Sequence, residues 1–313
     1  MFTIHSDDFG AFKRYTLSHE THPLRRTFVP ERGGCMLSLQ MEGQELLDGY
    51  QTPIELDLNN WGKSGFLYPF PNRLRDGRFT WNGTTYQFPL NDTTHQNALH
   101  GFGMQRPLEL VEADMHAQHA VVRMEGQYTG DLPYYPWPFT FFLTYRLFAP
   151  GQCWVEMGVR NDGDTSIPIG LGWHPYFQLA DTAAECELCL PPVDMVGIDA
   201  RMIPTGKRYP FTDFAESKKI GATILDNCFA LAGTHAEVSV LLKGTKGSIR
   251  YWQESGAGQF SFLQVFTPPY GTSIALEPMT CNVDAFNNKE GLWVLAPGQF
   301  AQAKAGVQWV AEV

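Results

Sequence analysis

Positive charge is scarce in this chain: 23 lysines and arginines stand against 33 aspartates and glutamates, a formal net charge of -10 over 313 residues. Such a field repels a phosphate backbone and no basic run offsets it locally, so nucleic acid is excluded as an expected partner. The weak cluster Arg73, Arg75 and Arg78 is interrupted by polar and acidic residues and reads as decoration of a loop and hairpin. Charge of either sign is sparse too, at 18% against 43% hydrophobic residues, which supplies a core and excludes disorder. Long apolar runs are also missing. None approaches the ~18 residues of a membrane span, so no membrane partner is expected. The N-terminus, MFTIHSDDFGAFKRY, lacks the basic start and apolar stretch of a secretory signal, and a cytoplasmic protein is the expectation. The sequons at Asn82 and Asn91 then carry no weight.

Metal-ligand spacing is lacking as well. The six cysteines, at 35, 153, 186, 189, 228 and 281, are scattered through a chain too long to need stapling and read as reduced thiols. Cys186 and Cys189 form a CxxC, but no second CxxC or paired histidine cluster follows, and ECELCL alternates like a strand. In WGKS, from Trp61 to Ser64, the first glycine of a phosphate-binding loop would fall on Asp57, which leaves a nucleotide site unsupported. Neither a metal nor a cofactor is expected.

What the chain does have is short segments of period two. Val155, Met157 and Val159 alternate with Glu156, Gly158 and Arg160, and Val238 and Val240 repeat the pattern, as half-buried strands require. RFTWNGTTYQF sets Asn82-Gly83 between aromatic and β-branched residues, the signature of a two-residue hairpin turn. Many strands broken by 30 glycines and 21 prolines predict an all-β sandwich or barrel, filled by 22 Phe, 12 Tyr and 8 Trp. One short helix is predicted, around Asp213 to Ile220. With no repeat or linker in evidence, residues 1–313 are read as one domain.

Polar chemistry gathers in four segments: PNRLRDGRF (71–79), NALHGFG (97–103), GLGWHPYF (170–177) and IALEPMTCNVDAFNN (274–288). An extended chain through IPIGLGWH puts Ile167, Ile169, Leu171 and Trp173 on one face, and Pro168, Gly170, Gly172 and His174 on the other. Glycine inside a strand marks close approach by a ligand or another backbone. By the same alternation Ser273, Ala275 and Glu277 share a small-residue face, with Pro278 expected to close the strand. Taken singly, His174 reads equally as a hydrogen-bonded structural histidine, and Glu277 as a solvated rim carboxylate.

Together and in this order, NRLRDGRF, NALHGFG, GWHPYF and LEPMTCNVDAFNN resemble the aldose 1-epimerase (galactose mutarotase) family, from about Asn72 to Asn288. The resemblance implies a large antiparallel β-sandwich, the galactose mutarotase-like supersandwich, with few short helices. It implies His174 as general acid and Glu277 as general base, with Asn72, Arg73 and His100 binding sugar hydroxyls and Asp226, in LDNCF, a further sugar ligand. The family often has a Trp shortly after its HGF segment where this chain has Leu108. Tyr270, in PPYGTS, adds an aromatic where the family varies.

The implied reaction is exchange of the two anomers of a free aldose: Glu277 takes the C1 hydroxyl proton, His174 protonates the ring oxygen, and the opened aldehyde turns and recloses. Histidine titrates near neutrality, whereas glutamate starts near ~4.3 and needs partial desolvation to become an effective base. Three alternatives stay open. Arg75, Arg78 or Arg106 could bind the phosphate of a hexose 6-phosphate; a glycoside hydrolase would need two carboxylates across the bond; and a non-catalytic sugar-binding protein could keep the fold.

Overall fold

The computed structural model describes residues 1–231 and 236–311. Three antiparallel sheets carry the fold. The first takes the N-terminal strands Phe2–Phe9, Phe12–His19, Arg25–Val29, Cys35–Met41 and Gln44–Glu45 in chain order. The second has nine strands, among them the long neighbours His119–Tyr128, Phe139–Phe148 and Gln152–Asn161, next to which lies Phe300–Val310 and then Gly247–Glu254. The third runs in the order Pro204–Phe211, Val193–Ile198, Asp226–Leu231, Phe262–Phe266, Ile274–Met279, Gly172–Trp173 and Phe66–Leu67, with Tyr176–Phe177 also paired to Ile274–Met279. Tyr68 stacks on Phe141 at 4.2 Å and Phe28 meets Tyr145 edge-on at 5.3 Å, so both other sheets pack their aromatics on the nine-stranded sheet. This is the expected all-β sandwich.

The alternation read from the sequence is the physical basis of that packing. Val155, Met157 and Val159 are buried while Glu156 is half-buried and Arg160 exposed. Along Glu237–Gly244 the buried positions are Val240 and Leu242, and Val238 is only half-buried. The hairpin forms where predicted: Arg78–Trp81 pairs with Thr84–Gln87, and Asn82 (φ 48°) and Gly83 (φ 82°) both turn left-handed, as a type I′ turn demands.

Two expectations fail. Residues 213–220 form turns and the short strand Lys218–Lys219, not a helix. Phe214 and Ile220 are buried, but they anchor a loop that returns to the sheet through Leu188. The α-helices of the described residues are Pro53–Leu58 and Ala285–Asn288. The first is short because Thr52 and Glu55 form a reciprocal capping box, Pro53 opens it, and Asn59 ends it in a left-handed turn. Nor does Pro278 close its strand. Pairing continues to Met279, which faces both Phe262 and Gly172. Among the described residues no helix is long and apolar enough to cross a membrane.

Candidate active site

His174 follows Trp173, and the chain alternates there as an extended segment should. Trp173 is wholly buried in the sandwich, stacked on Phe66 at 6.2 Å, while His174 turns the other way into a cavity of about 310 Å³. The main chain fixes it twice: its N–H donates to Gly65 O at 3.0 Å and its carbonyl accepts from Ser64 N–H at 2.8 Å. Glu277 reaches the same cavity from Ile274–Met279, whose Ile274 and Leu276 go into the core. His174 Nε2 lies 3.4 Å from Glu277 Oε1. Each residue keeps one further polar atom, His174 Nδ1 and Glu277 Oε2, buried without a protein partner.

The glycine lane beside His174 has a definite occupant. A Cβ on Gly172 would stand 2.8 Å from Pro71 Cβ, and one on Gly170 would stand 2.3 Å from Cys281 Sγ. The close approach is therefore by other parts of the protein, and what it admits is the segment carrying Asn72 and Arg73. Asn72 (φ 56°) and His100 (φ 64°) adopt the left-handed region uncommon for their types. That turn lets each hold the other: His100 N–H donates to Asn72 O at 2.8 Å, and Asn72 N–H donates to His100 Nδ1 at 3.1 Å. An Nδ1 that accepts leaves the imidazole proton on Nε2. Burial, then His174 and Arg73, push the His100 pKa well below the usual value, so it stays a neutral donor.

Arg73 donates through Nε to Asp92 at 2.8 Å, and Asp92 also meets His95. Burial raises the Asp92 carboxyl, but the hydrogen bonds from Arg73 and His95 outweigh it and hold the group below its ordinary value. Asp284 clamps the same strand from the far end of the chain, donating its N–H to Arg73 O at 2.8 Å and accepting from Arg75 N–H at 2.9 Å. The VDAFNN stretch thus supports the cavity wall without lining it.

Asp226 also lines the cavity, from the strand Asp226–Leu231, and burial raises its pKa. Between it and Asn72 stands Gln264, which the sequence reading missed. Gln264 Nε2 donates to Asp226 Oδ1 at 2.8 Å, its Oε1 accepts from Asn72 Nδ2 at 3.3 Å, and its strand neighbours are Cys228 and Glu277. A lone polar residue within the buried run FLQVF was the available signal. All six residues expected at the site line one cavity, with Gln264 joining them.

Other expectations are resolved by placement. Leu108 is a core residue packed beneath Gly34 and Gly126, and it does not line the cavity. Tyr270 stands outside the lining, its hydroxyl donating to Asp48 at 3.0 Å and its ring edge-on to Trp61 at 5.4 Å. Arg75 pairs with Asp199, Arg106 with Asp131, and Arg78 donates to Gln87; none faces the cavity. Cys186 donates to Thr182 O and Cys189 to Ala215 O, so the CxxC thiols point to different neighbours.

Burial dominates the electrostatics of the central pair. It lowers His174 to about 3 and, with Asp226 nearby, raises Glu277 well above the ordinary carboxylate value. The empty cavity therefore favours neutral imidazole beside a protonated carboxyl. That state and the ion pair contain the same single proton, exchanged across the 3.4 Å contact.

Comparison with known proteins agrees with this arrangement. The family model for aldose 1-epimerase matches residues 13–308, well beyond the span of the four motifs. The uncharacterized protein YihR of Escherichia coli is 27% identical over 276 residues, 85% of this chain and 84% of that protein. A probable aldose 1-epimerase of Arthroderma benhamiae is 27% identical over 241 residues, 65% of this chain and 53% of its own. Among solved structures, a galactose mutarotase-like protein from Clostridium acetobutylicum superposes with a TM-score of 0.88 at 18% identity, covering 99% of both chains. Galactose 1-epimerase from Lactobacillus acidophilus superposes with 0.82 at 15% identity, covering 99% of this chain and 98% of its own. At those identities the superpositions speak for the fold, and the match over residues 13–308 settles kinship: the chain belongs to the aldose 1-epimerase family.

Proposed function

We propose that this protein interconverts the α and β anomers of a free, neutral aldose, with Glu277 and His174 exchanging the two protons. The observation that carries the reading is the 3.4 Å contact of His174 and Glu277 within a cavity lined by hydrogen-bonding groups. The C1 hydroxyl gives its proton to Glu277 while His174 protonates the ring oxygen, and the bond between C1 and that oxygen breaks. The aldehyde rotates about the C1 to C2 bond, and reclosure with both transfers reversed gives the other anomer. Atoms and protons balance without redox or phosphoryl chemistry.

Proton placement needs one prior step. The pair enters as neutral imidazole and protonated carboxyl; moving that proton from Glu277 to His174 creates base and acid together. Two charges in a dry cavity are costly unless further hydrogen bonds reach them. Sugar hydroxyls meeting Glu277 Oε2 and His174 Nδ1 supply such bonds at the two atoms the protein leaves unpaired. His100, donating from Nε2, and the chain Arg73, Asn72, Gln264 and Asp226 orient the remaining hydroxyls. Burial of the sugar between these groups holds the ring for both directions of the reaction.

A phosphorylated hexose fits less well. Arg73 is the single cationic side chain of the described cavity lining, and Asp92 already engages it. The test is NMR or polarimetry of freshly dissolved α-aldoses, with the spontaneous rate subtracted. Wild-type protein is expected to accelerate equilibration, and His174→Asn and Glu277→Gln to lower kcat by ~10²- to 10⁴-fold each, with the double variant little worse than the worse single. Near-normal rates in a folded Glu277→Gln protein would overturn the assignment; cleavage of a glycoside would point to a hydrolase, and binding without turnover to a sugar-binding protein.

A further inference from the structure

The cavity does not end at the residues that address one sugar ring. Asp226 and Phe266 line it on one side and, on their other side, line a second concavity walled by Ala184, Ile224 and the segment from Pro268 to Gly271. The two hollows are continuous over these shared side chains. The second is built from ordered backbone: Thr267 N–H donates to Leu225 O at 2.8 Å, Ala183 N–H to Gly271 O at 2.8 Å, and Gly221 N–H to Ala184 O at 3.0 Å. It is a preformed groove.

Its rim is apolar and uncovered. Ile224 is 84% exposed, and Trp61 and Tyr270 are 47% and 37% exposed. Trp61 stacks over Phe266 at 6.2 Å and meets Tyr270 at 5.4 Å, so the three rings form one wall at the opening. Holding that indole outward has a conformational cost: Trp61 has φ 67°, a rare state for a bulky residue, with its carbonyl tied to the Tyr176 hydroxyl at 3.1 Å.

We propose that the groove receives the second ring of a neutral reducing disaccharide, whose reducing ring occupies the reaction cavity. This rests on the proposed anomer exchange, because that chemistry needs a free hydroxyl on C1 and so leaves only the other ring carbons to carry a substituent. The lining dictates the rest. No lysine, arginine or histidine lines the described groove, so a phosphate, sulfonate or carboxylate on the substrate would find no counter-charge. Phe266, Pro268, Pro269 and Ile224 offer flat apolar contact to the carbon-bound hydrogens of a pyranose, while Asp226 at the junction takes a hydroxyl near the linkage. A mostly apolar cleft with a few placed polar groups is the usual make-up of a small-molecule subsite.

The experiment follows anomerisation of glucose, maltose, cellobiose and lactose by NMR in wild-type, Ala184→Trp and Ile224→Asp proteins, with calorimetric titration of each sugar in parallel. Both substituted residues are exposed and neither lines the reaction cavity. Glucose turnover is expected to stay within about twofold, whereas kcat/KM and affinity for at least one disaccharide fall about tenfold or more. Wild-type turnover of glucose with none of the disaccharides, or variants that leave disaccharide kcat/KM untouched, would overturn the groove. Failure with every sugar strikes at the acid–base reading instead. The titrations still decide the groove in that case: disaccharide binding weakened by Ale184→Trp upholds it, and unchanged binding overturns it.

Discussion

His174 and Glu277 are held in a place that suits neither charge, and that has a measurable consequence for pH. An active pair contains one proton. Adding a second stops the base and removing the only one stops the acid, so the limbs of the rate profile belong to the pair. Because burial lowers His174 to about 3 and raises Glu277, the one-proton state spans a wide range. The acid limb of kcat/KM is expected below pH ~5, whereas an unshifted imidazole would bring it in near ~6.5. A half-maximal point at the unshifted value would refute the burial effect. Stability carries the same sign. A carboxyl with a raised folded pKa is protonated in the native state where the unfolded chain is ionised, so Glu277 costs stability as pH climbs above ~4.3 and costs nothing below it. Glu277→Gln should therefore melt higher than wild type at pH 7, with the difference vanishing by pH ~4. Asn72, Arg73, His100, His174, Asp226 and Glu277 were legible because side-chain alternation and ordered motifs name positions in the chain. Gln264 was not, since its importance lies in a register, opposite Glu277 and between Asn72 and Asp226, that only the folded sheet creates.

At the scale of single elements, what the sequence announced most clearly was chemistry local to a few residues. The Asn82-Gly83 turn needs left-handed backbone at two positions and has the residues for it. The helix Pro53–Leu58 was equally announced by Thr52, Pro53 and Glu55, but six residues are too few to show a helical period. Residues 213–220 mislead for the converse reason: two buried apolar residues in a loop imitate one face of a helix. The glycines at 170 and 172 were read as room beside His174, and the structure identifies who uses the room. Gly172→Ala sets a methyl 2.8 Å from Pro71 Cβ and 3.3 Å from Leu67 Cδ1, within a strand whose register is fixed by Leu67 and Met279. The Pro71 segment must yield, moving Asn72 and Arg73 relative to His174. Overpacking of this kind costs ~1–3 kcal/mol, and displaced positioning groups are expected to lower kcat about tenfold or more. Unchanged melting temperature and unchanged turnover in Gly172→Ala would show that the segment is not held by this contact.

Across the whole molecule, the parts of the site come from distant stretches of chain, and the nine-stranded sheet is the frame on which they meet. Its order could not be read from the sequence, because any half-buried strand can pair with many others and the choice is made by packing. The structure inserts the last strand, Phe300–Val310, between Gln152–Asn161 and Gly247–Glu254, with Ala303, Ala305 and Val307 completely buried. Small residues there have a reason: Gly306 lies against Trp252, where a Cβ would stand 2.6 Å from the indole. The strand contributes no cavity-lining residue, so its role is architectural. Removal of residues 300–313 should therefore abolish folding and not merely activity, since it strips hydrogen-bond partners from two interior strands and opens the core above Val155, Met157 and Tyr251. A buried unpaired backbone polar group costs ~1–3 kcal/mol, and several together exceed the ~5–15 kcal/mol by which a native domain is stable. The truncated chain is expected to lose near-ultraviolet circular dichroism and cooperative melting. A single charge in the same strand, Ala305→Arg, should reproduce much of the loss, because the guanidinium would enter a layer with no acidic partner among the residues opposite it, Val155 and Gln253. If the truncated protein melts cooperatively and still equilibrates anomers, the frame extends no further than Gln152–Asn161, and the last strand only covers a sheet that is complete without it.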